Sequence, residues 1–269
     1  MQRRLISRFA SLFLGILLGI LAISPARATS WSTNHSDLWW IPSESGWGIQ
    51  LVQEADVIFA TMFVYDSFGI PYWYVATLNW VTGSTYSGNL VETRGPWFGN
   101  PVFNPGLVTV RVVGQMTFTA NFVQSGTLNY SVDGVFVTKA IQRQTLKFDD
   151  YRGTYLGAVS WNATGCSNPA LNGYSIAAIE FTMSQAANFL QVQAVANSGG
   201  GNVACTYTWN YSQSGQFGRT SGTYFCSSGE SGTHTFFEMN VNFSDVRGRI
   251  QGTNNFGCSF TGHFAALLE

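Results

Sequence analysis

Trp39-Trp40-Ile41-Pro42-Ser43-Glu44-Ser45-Gly46-Trp47-Gly48 is the stretch on which the reading of this chain turns. Three indoles, a proline, a carboxylate and two glycines in ten residues make a rigid entry into a sheet, not a helix start. The polypeptide that follows is short apolar runs, rich in aromatics and β-branched residues, punctuated by Gly, Asn, Asp, Ser and Pro about every ten residues. Charged residues make up only 10% of the chain, aromatic residues 15%, and there are 29 glycines. This is the composition of an all-β protein.

In the first half the punctuation predicts strands near 48–53, 57–65, 72–80, 85–92, 108–113, 115–122, 127–132 and 135–144. Asp66-Ser67-Phe68-Gly69 and Asp133-Gly134 supply the positive φ of tight hairpins. In the second half a period of two is cleaner. Ile179, Phe181 and Met183 alternate with Glu180 and Thr182, and Phe237, Met239, Val241 and Phe243 alternate with Glu238, Asn240 and Asn242. One face of each such strand meets a core and the other meets water. About eight of them can close into a small up-and-down barrel. The fold class read from this pattern is all-β, with two antiparallel meander or up-and-down barrel-like modules in tandem. They span 36–148, aromatic-rich, and 149–269, cysteine-containing, and meet near Lys147-Phe148-Asp149-Asp150 with no long linker.

Residues 1–28 read as a signal peptide. Arg3, Arg4 and Arg8 precede an apolar run, and Pro25 with Ala26-Arg27-Ala28 supplies a small-residue cleavage pattern. Export through the Sec pathway is therefore expected, to a periplasmic, extracellular or cell-surface location. Removing the segment takes four arginines and leaves nine basic against 14 acidic residues, a net charge of −5. The remaining basic residues form no stripe, which disfavours a nucleic-acid partner. The polar face of the strands and the shortness of several of them argue against insertion into a membrane as a spanning barrel.

Cys166, Cys205, Cys226 and Cys258 all lie in the second module. An even count in an exported chain reads as two disulfides, with three connectivities open. Cys205–Cys226 is favoured because the two flank one apparent hairpin, leaving Cys166–Cys258. No C-x-x-C pair and no histidine at ligand spacing point to a metal, and no cofactor motif is present.

The pieces Leu38-Trp39-Trp40-x-Pro42-x-Glu44-Ser45-Gly46-Trp47-Gly48, 58–66, Pro71-x-Trp73, Tyr86-Ser87-Gly88-x-Leu90, Thr93-x-Gly95-Pro96 and Gly134-Val135-x-Val137-x-Lys139-x-Ile141-x-Arg143 resemble a recurrent family of secreted proteobacterial β-domains. Gly222-x-Tyr224-x-Cys226 and Gly257-Cys258-x-Phe260-x-Gly262-x-Phe264 in the second half are similar to the cysteine-containing module that follows in such proteins. The resemblance spans nearly the whole chain after the signal. It implies an exported bacterial origin and an all-β fold, and it carries over no catalytic or binding residue.

Six of the nine tryptophans fall between Trp39 and Trp97. The candidate binding residues are Trp39, Trp40, Glu44, Trp47, Trp73 and Trp97, because exposed indoles stack on the apolar faces of sugars. A large apolar patch equally marks a protein interface. Glu44, embedded among three indoles, is the most interesting acid: an apolar setting would raise its pKa and prepare a general acid. Otherwise it accepts backbone N–H groups in the 43–46 turn. With only His35, His234 and His263, and no nucleophile elbow, a catalytic constellation is weakly supported. The leading expectation is a non-enzymatic binding or adhesion module for a glycan, envelope component or protein. A self-associating structural protein and a hydrolase with a carboxylate site are the alternatives.

Overall fold

A computed structural model describes residues 33–198 and 201–269, so the signal-peptide reading of 1–28 falls outside the described residues. Each half of the described chain is a closed antiparallel barrel of eight strands in which neighbours in sequence are neighbours in space. The first comprises β1 Asp37–Trp40, β2 Gly48–Glu54, β3 Val57–Tyr65, β4 Pro71–Thr82, β5 Thr85–Arg94, β6 Thr109–Ala120, β7 Ser125–Val132 and β8 Val135–Arg143. It closes where Trp39 of β1 faces Arg143 of β8. The second comprises β9 Gly153–Thr164, β10 Gly173–Ala186, β11 Phe189–Ser198, β12 Gly201–Ser214, β13 Phe217–Cys226, β14 Ser231–Val241, β15 Asp245–Asn254 and β16 Ser259–Leu268. It closes through a ten-residue pairing of β16 with β9. Closure gives each strand a hydrogen-bonded neighbour on both sides, although β1 meets β8 over only two residue pairs.

Three local departures from the sequence pattern have physical causes. The opening Trp39-Trp40 pair is a strand, β1, because Trp39 is needed to fill the barrel. The two runs expected at 108–113 and 115–122 are one strand, β6. Gly114, which reads as a break, sits within that strand at a register shift with β5, and a Cβ there would overlap the carbonyl oxygen of Ser131 on β7. In β14 the alternation changes phase at a bulge, where Glu238 adopts φ 51° and the register with β15 shifts between Phe237 and Asn240. Phe236 and Met239 consequently enter the core, while Phe237 turns outward beside Arg249 and Phe243 lies fully exposed.

Both interiors are packed with side chains. Trp39, Ile49, Leu51, Ile58, Met62, Leu78, Leu90, Met116, Phe118 and Leu128 fill the first. Tyr155, Phe181, Leu190, Phe236, Met239, Val246 and Phe264 are among those filling the second. Each large apolar side chain so buried contributes roughly 1.5–3 kcal/mol. The residue that enters each barrel from its preceding segment acts as a stopper. His35 packs edge-on against Tyr86 and Phe118. Tyr151, wholly buried, packs edge-on against Tyr211 and donates its hydroxyl to Met239 O.

The two stoppered ends meet. Arg143 is fully buried there: Nε donates to Val123 O (2.6 Å), Nη2 to Asn34 O (2.7 Å), and Nη1 to Ser36 O and Asp37 Oδ2. Its guanidinium lies over Trp39 of the first barrel at 4.7 Å and Phe217 of the second at 4.8 Å. Asp37 Oδ2 also accepts from the backbone N–H of Gln216 (2.9 Å), and the Gln216 amide donates to Ser36 O. At the opposite end of the second barrel, Cys166–Cys258 and Cys205–Cys226 form the two disulfides. That is the favoured pairing. Cys205 and Cys226 face each other directly across β12 and β13.

Candidate functional site

Antiparallel order puts the connections 41–47, 66–70, 95–108 and 133–134 at one end of the first barrel, away from the second. These connections and the strand ends beside them carry a concentration of exposed apolar side chains. Phe98 is 92% exposed, Phe68 88% and Phe136 84%, with Ile70, Trp97, Val102, Phe103, Leu107 and Val135 all more than half exposed. Just below them on the outer wall, Phe63 and Trp73 face each other across β3 and β4, each about half exposed, and Tyr65 follows Phe63. Further down the same strands the outward face is mixed: Thr61 stands opposite Val75, and Thr77 opposite Phe59, which is 47% exposed.

The opening motif is built into this end. Pro42–Glu44 forms one 3-10 turn, and Gly46 takes φ 119°, a conformation that favours glycine. Glu44 Oε2 accepts from Trp47 Nε1 (2.9 Å) and Lys139 Nζ (2.6 Å), and the lysine lies 5.5 Å from the Trp47 ring. Tyr65 closes the turn by donating its hydroxyl to Gly46 O. The Lys139 hydrogen bond, then that of Trp47, holds the Glu44 carboxyl below the usual carboxylate range. This reverses the expectation of a raised pKa: the aromatic setting is outweighed by an ammonium at hydrogen-bond distance. Nor does Glu44 cap the 43–46 turn with its side chain. Its partners are the indole and the lysine.

The six candidate residues therefore separate. Trp39 has no exposed surface, and its indole N–H donates to His35 O in the core, so it is removed from any ligand surface. Trp40 and Trp47 are partly exposed beside the motif. Trp73 stands on the outer wall paired with Phe63, and Trp97 heads the 95–108 loop with its ring 5.8 Å from that of Phe98. The loop-tip residues Phe68, Phe98 and Phe136 were missed by the sequence reading. The available signal was that Phe68 and Phe98 each precede a turn glycine and Phe136 lies two residues after Asp133-Gly134, where an apolar residue has no core to enter.

Most charges of this end are paired with a charge of opposite sign. Glu92 is bound by Arg94 (2.8 Å) and Arg111 (2.6 Å), and Arg111 also binds Asp133 (2.6 Å). These arginines lower the pKa of the Glu92 carboxyl. Asp66 turns inward on its own hairpin, accepting from the backbone N–H groups of Phe68 and Ile70.

Little here suits chemistry. His35 and His234 are sealed in the two interiors, where burial lowers their pKa values to about 4 and about 3. Among the described residues no three His, Cys, Asp or Glu side chains gather to hold a metal. A cavity of about 260 Å³ at the barrel junction is lined by Val123, Phe217, Phe237 and Glu238. The Glu238 carboxylate in it is already engaged by Thr33 and Arg249.

No family model and no curated protein matches the chain. Among solved structures it is similar to a redesigned β-barrel at 13% identity, over 42% of this chain and 88% of that one, with a TM-score of 0.29. That likeness is one of barrel architecture alone.

Proposed function

We propose that the protein is an exported, non-enzymatic binding or adhesion module that engages a component of the cell envelope, glycans included, through the aromatic side chains at the outer end of its first barrel. The observation that carries this reading is the clustering of Trp97, Phe98, Phe68, Phe136 and the Phe63–Trp73 pair at one end of a barrel whose interior is already full. Apolar surface of that extent on a folded chain marks a contact site. The two disulfides suit an oxidising compartment outside the cytoplasm, and delivery there by the Sec route rests on the 1–28 segment. The proteobacterial family resemblance adds an envelope setting. Sealing of His35 and His234, together with an ionised Glu44, supports binding over hydrolysis.

Self-association is the second reading, favoured by the exposed Phe63–Trp73 pair. Closed barrels leave no edge strand to extend, so copies would meet face to face through this wall. The packed apolar interior of each barrel weighs against a spanning barrel, whose interior is polar. The test is retention of the oxidised, exported protein on isolated envelopes, peptidoglycan and insoluble polysaccharides. Retention that Trp97→Ala weakens, with its mass in solution unchanged, supports the reading. A concentration-dependent dimer with no retention favours self-association.

A further inference from the structure

We propose that the hollow where the two barrels meet binds a small zwitterion of the free amino acid type. Glu238 would hold its ammonium, Arg219 its carboxylate, and Val123, Phe217 and Phe237 its apolar side chain. This site is separate from the outer end of the first barrel and does not depend on what that end binds. The cavity of about 260 Å³ takes Val123 and Gln124 from the first barrel and the rest of its wall from the second. Clefts between domains are preferred places for small ligands, and apolar walls with a few convergent polar groups are their usual lining.

Glu238 is the group that points to a ligand. It is 8% exposed and sits at the β14 bulge with φ 51°. Residues other than glycine seldom adopt that conformation, and where they do it gathers at binding sites. Both hydrogen bonds of the carboxylate fall on Oε1, from Thr33 Oγ1 at 2.8 Å and from Arg249 Nη1 at 3.3 Å. The second is longer than the ~2.7–2.9 Å of a good charge-assisted bond. Oε2 has no partner among the described residues. A buried carboxylate oxygen in that state requires a donor, and a cationic donor satisfies it best.

Arg219 supplies the opposite charge. On β13, Gly218 faces Met239 and Thr220 faces Phe236, so Arg219 stands opposite the bulged pair Phe237–Glu238. It is exposed at the cavity, and its side chain makes no ion pair or hydrogen bond among the described residues. A guanidinium matches a carboxylate through two parallel N–H donors. One cavity thus offers an anionic and a cationic contact, which selects a ligand carrying both charges over a plain amine or a plain acid. The walls are also held in place before any ligand arrives. Arg143 Nε donates to Val123 O, Arg143 N donates to Gln124 O, and the guanidinium lies over Phe217. One buried residue therefore fixes the wall from both barrels.

The experiment is equilibrium dialysis of the exported, oxidised protein against radiolabelled L-leucine and L-phenylalanine at about 1 mM. L-Leucinamide and 4-methylpentanoate, each lacking one of the two charges, serve as competitors, and Arg219→Gln and Glu238→Gln are run in parallel. The expected result is retention of at least one amino acid, with either competitor weaker than the unlabelled amino acid by about tenfold or more. Arg219→Gln should weaken amino acid binding by a similar factor and leave L-leucinamide unaffected. Glu238→Gln should weaken the amino acid and L-leucinamide alike. If its melting curve shows that the glutamine variant does not fold, the arginine variant, altered at an exposed side chain, decides the matter. Absence of both amino acids from the protein overturns the inference. So does competition by either analogue equal to that of the amino acid, or binding indifferent to Arg219→Gln.

Discussion

Arg143 Nη1 lies 3.0 Å from Asp37 Oδ2 with the arginine side chain wholly buried where the two barrels meet. The pair is a junction device. Arg143 ends the last strand of the first barrel, and Asp37, which begins its first strand, reaches the backbone of Gln216 in the second.

Arg143→Met should therefore destabilise the protein by about 3–5 kcal/mol, because Asp37 and the carbonyls of Asn34, Ser36 and Val123 lose a buried donor. Arg143→Lys should recover little, since a single ammonium cannot reach acceptors spread around a planar fork. Urea unfolding measures both. A shift under about 1 kcal/mol for the methionine variant would contradict the assignment.

Acid should weaken both barrels from within. A histidine with a folded pKa below its unfolded value of 6.5 contributes stability that is present above pH 6.5 and lost on acidification. For His35 the loss runs from about pH 6.5 to about 4, and for His234 from about 6.5 to about 3. Over those windows each removes about 1.4 kcal/mol per pH unit. His35→Phe or His234→Phe should flatten the pH profile of the melting temperature, and an unchanged slope in both variants would refute the account.

Reduction should act on one barrel only. All four cysteines lie in the second, and breaking either disulfide should cost about 3–5 kcal/mol given separations of 21 and 92 residues. Hydrogen exchange under reductant should rise in 153–268 and stay unchanged in 37–143. Equal acceleration in both would show that the barrels unfold as one.

Gly114→Ala should destabilise by about 1–3 kcal/mol, since its Cβ would overlap Ser131 O and rigid backbone must move. Gly134→Leu, at an open turn with φ 87°, should be strained by conformation alone. Thermal melts of the two separate crowding from backbone strain.

The sequence made the architecture legible because alternation has one meaning in a closed barrel whose interior is apolar. Phe181, Met183, Leu190 and Val192 point where their period says. It failed where one residue changes the phase. The Glu238 bulge exchanges Phe236 for Phe237, and Gly114 sits at a register shift inside a strand it was expected to end. The candidate site was legible only in part. Trp73 and Trp97 are exposed, but Trp39 belongs to the core, because composition cannot tell an indole that fills a barrel from one that crowns it. Arg143 is marked only as the end of the resemblance's closing strand, and its role was not legible, because its acceptors Asn34, Ser36 and Val123 are backbone carbonyls, invisible in side-chain chemistry.

The central claim is that this protein meets its partner with the outer end of the first barrel. Hydrogen–deuterium exchange of the exported protein, with and without isolated envelope fragments, tests it most directly. Protection confined to 66–70, 95–108 and 133–136, with the second barrel unchanged, is the predicted result. Protection centred on the second barrel, or none anywhere despite binding, would contradict it.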